Sequence, residues 1–118
     1  MKKAEKFFLD IVSREGCVVC HNLGYRNLPN ASIHHLRFGV GAGQRNDNYA
    51  CIGLCHAHHQ QEGHGVSLHD GQGIWEEIFG TEMELYEGMI ERIIARYGDP
   101  RPEGYTIERN LPKVKRIE

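Results

Sequence analysis

The sequence predicts a small α+β domain: a zinc-stapled core of strand, loop and helix, with one helix before it and two after it. Three observations carry that prediction. A chain of 118 residues has the size of a single domain. Apolar residues recur at helical spacing near its start and again beyond residue 74. Between those stretches lie cysteines and histidines at metal-ligand spacing, Cys17-x-x-Cys20 and Cys55-x-x-His58.

Residues 1–16 read as the N-terminal helix. Phe7, Phe8, Ile11 and Val12 form an apolar face, lysines and acids the other, and Gly16 stops it. "CVVCHNLGYRNLPNAS" is then a compact turn whose C-x-x-C tip resembles a zinc knuckle more than a strand. "SIHHLRFGVGAG" reads as a strand that dissolves into a glycine loop, with Gly39, Gly41 and Gly43 allowing close approach to a ligand. "NDNYACIGLCHAHHQQ" is expected to become a helix around Leu54, capped by Asp47 or Asn48 if it starts early. "EGHGVSLHDGQG" is loop and completes a metal-binding core over residues 17–69. Residues 70–98 hold two helices, the first marked by Trp75, Ile78 and Phe79. The second opens on a Thr81–Glu84 capping box and carries Leu85, Met89 and Ile93 beside Tyr86, Ile90, Ile94 and Tyr97. Residues 99–118 are expected to form an extended tail.

Composition narrows the class. The chain is 40% hydrophobic and 25% charged, ordinary for a globular protein. No apolar run approaches the length of a membrane span, and the opening "MKKAEKFFLD" carries acids too early for a signal peptide, so a cytoplasmic location is expected. In a reducing compartment the four cysteines read as metal ligands sooner than as two disulfides. A thiol redox role for Cys17 and Cys20 lacks the βαβ context that such motifs need. The net charge of -2 does not announce a nucleic-acid binder, but the halves differ. Asp70 to Glu91 has seven acids and no base, so phosphate contacts are expected in the first half or on the tail, at Arg109, Lys113, Lys115 and Arg116.

Two ligand sets fit one tetrahedral zinc. Cys17, Cys20, Cys55 and His58 form two pairs of matching spacing; the all-cysteine set replaces His58 with Cys51, one helical turn from Cys55. The first is favoured. Among the histidines it leaves are His34, His35, His59, His64 and His69. Adjacent residues on a strand face opposite ways, so His34 and His35 are suited to divide their work as one metal ligand and one base. His59 points away from its neighbour His58, toward a second site.

A strand carrying two histidines, a loop and a short helix carrying C-x-x-H-H is similar to the HNH, or ββα-metal, nuclease motif. More closely, "IHHLRFGVGAGQRNDNYACIGLCHAHHQQEGHGVSLHDG" with "IFGTEMELYEG" resembles the phage and prophage recombination-enhancement (Ref) nucleases, over about residues 17–90. The resemblance implies a metal-dependent DNA endonuclease that hydrolyses phosphodiester bonds. It implies His35 as the general base, and His34 and His59 as catalytic-site histidines that bind Mg²⁺, Mn²⁺ or Zn²⁺. His69 is the next ligand, with His64 and Asn48 behind it. DNA is the implied partner, with Arg37 and Arg45 pinning phosphates beside the glycine loop, and a RecA filament is a candidate partner. Nothing in the sequence calls for a homo-oligomer. The sequence departs from the HNH pattern where an asparagine is expected and Ala50 stands; Asn48 or Asp47 could serve instead. Where the family often has proline, Cys51 stands. The competing reading is a catalytically silent zinc module that binds DNA or protein as a scaffold.

Overall fold

The structure, a computed structural model, describes residues 1–37, 46–61, 68 and 71–107, with 60, 61 and 72 described in their backbone alone. Its elements in order are α1 (Lys3–Glu15), α2 (Val18–Asn22), β1 (Ser32–His35), β2 (Cys51–Leu54), a short π-helical turn (Ala57–Gln61), α3 (Gln72–Phe79) and α4 (Glu82–Tyr97). The α+β expectation holds. Among the described residues, no helix is long and apolar enough to cross a membrane.

Helix α1 buries Phe8, Ile11 and Val12, one stripe of an amphipathic helix, whereas Phe7 stands 53% exposed. It ends at Gly16, whose φ of 83° favours glycine; a Cβ there would also lie 2.6 Å from Leu28 Cβ. Ser13 ties this end to the approach to β1: its carbonyl accepts from Ala31 N–H at 2.9 Å and its hydroxyl donates to Ala31 O at 2.9 Å.

β1 and β2 form an antiparallel pair in which His34 faces Ile52 and His35 faces Cys51. This corrects the expectation of a helix around Leu54. Cys51–Leu54 is a strand, and the helical turn begins only after Cys55. All four strand residues are buried, with α1, α2 and α4 packed around them. Such a strand presents a continuous apolar run, and a short run of that kind lacks the alternation that separates strand from helix. At Gly53 a Cβ would come within 2.7 Å of the Gly16 carbonyl oxygen, so glycine is what lets the end of α1 lie on the strand.

Helix α4 starts as expected: Thr81 Oγ1 accepts from Glu84 N–H at 3.1 Å, and Glu84 Oε1 accepts from Thr81 N–H at 2.9 Å. It buries Leu85, Tyr86, Met89, Ile90 and Ile93, while Ile94 and Tyr97 face outward. On α3, Trp75 is fully buried and Ile78 is exposed. The segment after Gly98 is no free tail in its described part. Arg101 donates to Asp99 and to the Tyr86 hydroxyl, Tyr105 donates to Asp47 Oδ1 at 2.9 Å, and Ile107 is buried.

Candidate metal centre and the adjoining histidines

Cys17 caps the N-terminus of α2, and its Sγ accepts the Cys20 backbone N–H at 3.4 Å. Cap and third helical residue thus turn both thiols to one side. Cys55 follows the last residue of β2, and His58 sits in the π-helical turn just beyond. These elements converge, so that the four ligand atoms all lie within 4.8 Å of one another. His58 Nδ1 is 3.5 Å from Cys17 Sγ, 3.5 Å from Cys20 Sγ and 3.1 Å from Cys55 Sγ. Cys20 Sγ is 3.8 Å from Cys55 Sγ.

The distances test the metal directly. Tetrahedral zinc at ordinary bond lengths gives edges of about 3.8 Å between sulfurs and about 3.6 Å between sulfur and nitrogen. Three of the four separations match closely and the fourth is somewhat short. The cluster could hold a metal such as zinc, with four protein ligands and no open position, the arrangement of a structural site.

Electrostatics agree. Burial pushes the Cys17 thiol up, and burial together with the neighbouring Cys17 pushes Cys20 up to about 12. Left alone, these thiols would stay protonated at neutral pH; a bound divalent cation reverses that, because a coordinating thiol is deprotonated outright. Burial lowers the His58 pKa and so favours the neutral imidazole that a metal needs. The His58 ring meets Phe79 edge-on at 5.3 Å, and Phe79 meets Trp75 at 5.4 Å, which joins α3 to the cluster.

Cys51 lies outside it. Its thiol is fully buried on β2 and points to the Asn48 carbonyl at 3.5 Å, and burial beside Asp47 pushes it up to about 12. The structure therefore places His58, and not Cys51, in the cluster that could hold a metal.

The two histidines of β1 divide by the alternation of the strand. His34 turns inward, 4% exposed, and His35 is half-buried on the opposite face. His59, also buried, brings Nε2 to 3.2 Å from His34 Nδ1, the rings crossing at 78°. His35 Nε2 lies 3.0 Å from Asn48 Oδ1, and Asn48 Nδ2 donates to Glu5 Oε1 at 3.1 Å. Asn48 is thus placed with His35 and not with the His34–His59 pair. Arg37 stands at the end of β1, where its backbone N–H donates to Glu82 Oε1 at 2.9 Å and its Nε lies 3.7 Å from Glu82 Oε2. Arg45, His64, His69 and the basic tail residues lie outside the described residues.

Three residues near these histidines gave no usable sign in the sequence. Asn46 is buried, and its amide donates to Leu36 O at 2.7 Å, holding the chain where it enters β2. Glu5 reads simply as an acid in the first turn of a helix. Glu82 reads the same way, yet it is 2% exposed and its Oε1 lies 3.5 Å from His34 Nε2. Burial raises the Glu82 pKa, but the contacts from His34 and Arg37 outweigh it and hold the carboxyl below its ordinary value.

A scan of known protein families finds no match to this chain, and a search of curated proteins finds no relative.

Proposed function

We propose that the chain is a metal-dependent DNA endonuclease of the HNH, ββα-metal kind, related to the recombination-enhancement nucleases of phages and prophages. The observation that carries the reading is the division of histidines around the β1–β2 pair. His34 and His59 bring two ring nitrogens together at 3.2 Å, and His35, next in the chain, is held separately by Asn48.

A divalent cation such as Mg²⁺, Mn²⁺ or Zn²⁺, held by His34 and His59, would neutralise the scissile phosphate and stabilise the leaving 3′-oxygen. The tautomer of His35 follows from its partners. A carboxylate only accepts hydrogen bonds, so the Asn48 NH₂ group faces Glu5 and the Asn48 carbonyl faces His35. His35 Nε2 then carries the hydrogen, and Nδ1 keeps a lone pair to take a proton from the attacking water. Hydrogen bonds from Lys2 N–H and Asn48 hold the Glu5 pKa below its ordinary value, which keeps it an acceptor. In this reading the Cys17, Cys20, Cys55 and His58 cluster is a structural staple that fixes the turn from which His59 projects. Arg37 and Arg45, with a RecA filament as candidate partner, would serve DNA engagement.

The test is nicking of supercoiled plasmid by the zinc-loaded protein in Mg²⁺ or Mn²⁺, with naked and RecA-coated DNA as separate arms. Metal-dependent nicking that disappears in His35→Ala supports the reading. No cutting in either arm, from protein carrying its full zinc, would assign the chain to silent zinc-binding scaffolds instead.

A further inference from the structure

Glu82 is a carboxylate buried to 2% exposure in the first turn of α4, a position where an acid ordinarily faces water and the helix dipole. Burying a carboxylate is costly unless its oxygens are matched by donors. Here one strand end supplies the match: Arg37 N–H donates to Oε1 at 2.9 Å, His34 Nε2 lies at ion-pair distance, 3.5 Å, from the same oxygen, and Arg37 Nε at ion-pair distance, 3.7 Å, from Oε2.

The two nitrogens of His34 therefore have different tasks. Nε2 faces Glu82, and Nδ1 faces His59 Nε2 at 3.2 Å. An ionised carboxylate offers no hydrogen, so the His34 hydrogen sits on Nε2 and the Nδ1 lone pair points at His59. A carboxylate behind a ligating imidazole fixes its tautomer and ring orientation and raises its basicity.

We propose that Glu82 is the positioning residue of a second metal site, orienting His34 so that Nδ1 and His59 Nε2 present converging lone pairs to a divalent cation. The proposal rests on the reading of His34 and His59 as metal ligands. Arg37 completes it from the other side. By holding both oxygens of Glu82 it fixes the carboxylate that fixes the histidine, which gives Arg37 a task at the site apart from any phosphate contact.

The experiment titrates Mn²⁺ into the zinc-loaded chain and follows free Mn²⁺ by electron paramagnetic resonance, for wild type, Glu82→Ala, Glu82→Gln and His34→Ala. Zinc content and thermal unfolding are measured on each sample. Glu82→Ala is expected to weaken Mn²⁺ binding by about 10–100-fold, the usual effect of removing such a partner, with one zinc still bound. Glu82→Gln keeps an oxygen that accepts from His34 and Arg37 and is expected to recover most of that loss. In parallel, ¹⁵N long-range correlation spectra of the wild type without Mn²⁺ should show His34 with its hydrogen on Nε2, a readout that needs no variant to fold. Hydrogen on Nδ1 instead would overturn the proposal. So would Mn²⁺ binding by Glu82→Ala within about twofold of wild type, against the larger loss expected; in that case the metal reading of the histidine pair survives. A wild type that takes up no Mn²⁺ would remove that reading, and this proposal with it.

Discussion

His58 and His59 are consecutive residues that face two different clusters. His58 Nδ1 lies 3.1 Å from Cys55 Sγ, while His59 Nε2 lies 3.2 Å from His34 Nδ1. They sit in a π-helical turn, and such wider turns concentrate at functional sites because they redirect single side chains. The cysteine cluster and the histidine pair are thereby coupled through one peptide bond.

Removal of metal from the cluster should unfold the core. Structural zinc contributes about 10–16 kcal/mol in small zinc domains, as much as the whole stability of an ordinary domain. The protein as purified is expected to hold one zinc, and a strong chelator should abolish its cooperative thermal transition. Cys55→Ser should lose the zinc, and Cys51→Ser should keep it. Zinc lost from both variants would restore the all-cysteine ligand set.

Gly53→Ala should destabilise the fold by about 1–3 kcal/mol, the usual cost of forcing a methyl into a closed contact. The added carbon would meet the Gly16 carbonyl oxygen at 2.7 Å, and that oxygen belongs to backbone that cannot step aside. Urea unfolding of the zinc-loaded protein measures it. An unchanged midpoint would mean that α1 does not rest on β2 as described.

Thr81→Ala should cost about 1 kcal/mol through loss of the helix cap. The effect should depend on pH in one direction. Bonds from the Thr81 backbone and side chain hold the Glu84 pKa below its ordinary value, so the contribution of Glu84 is present at neutral pH. It should fade as pH falls through that lowered value. A difference between wild type and variant that grows in acid would contradict the cap.

Much of this was legible in the sequence, and the failures have physical causes. The make-up of the cluster was readable because C-x-x-C and C-x-x-H are local spacings that the chain itself enforces. The opposed faces of His34 and His35 followed from strand alternation alone. β2 reads as helix in the sequence because a strand covered by helices has no polar face to betray its period. Glu82 could not be foreseen, since its burial depends on α4 docking against the end of β1, a contact that no local pattern encodes. Glu5 and Asn48 are paired in the same way, by the packing of α1 near the hairpin.

Asn48→Ala should lower the rate of plasmid nicking by at least about tenfold, a part of the hundredfold or more that a general base contributes. Zinc content and Mn²⁺ affinity should be unchanged, because Asn48 touches His35 and neither metal centre. Wild-type nicking by this variant would show that His35 needs no such partner.

The most direct measurement pairs two readings on one preparation of His35→Ala: zinc per chain and Mn²⁺-dependent nicking of supercoiled plasmid. The account predicts one zinc, retained, and nicking reduced by about a hundredfold or more. Nicking at the wild-type rate would contradict His35 as the base. Nicking lost together with the zinc would mean that His35 supports the fold and that the two centres are not separate.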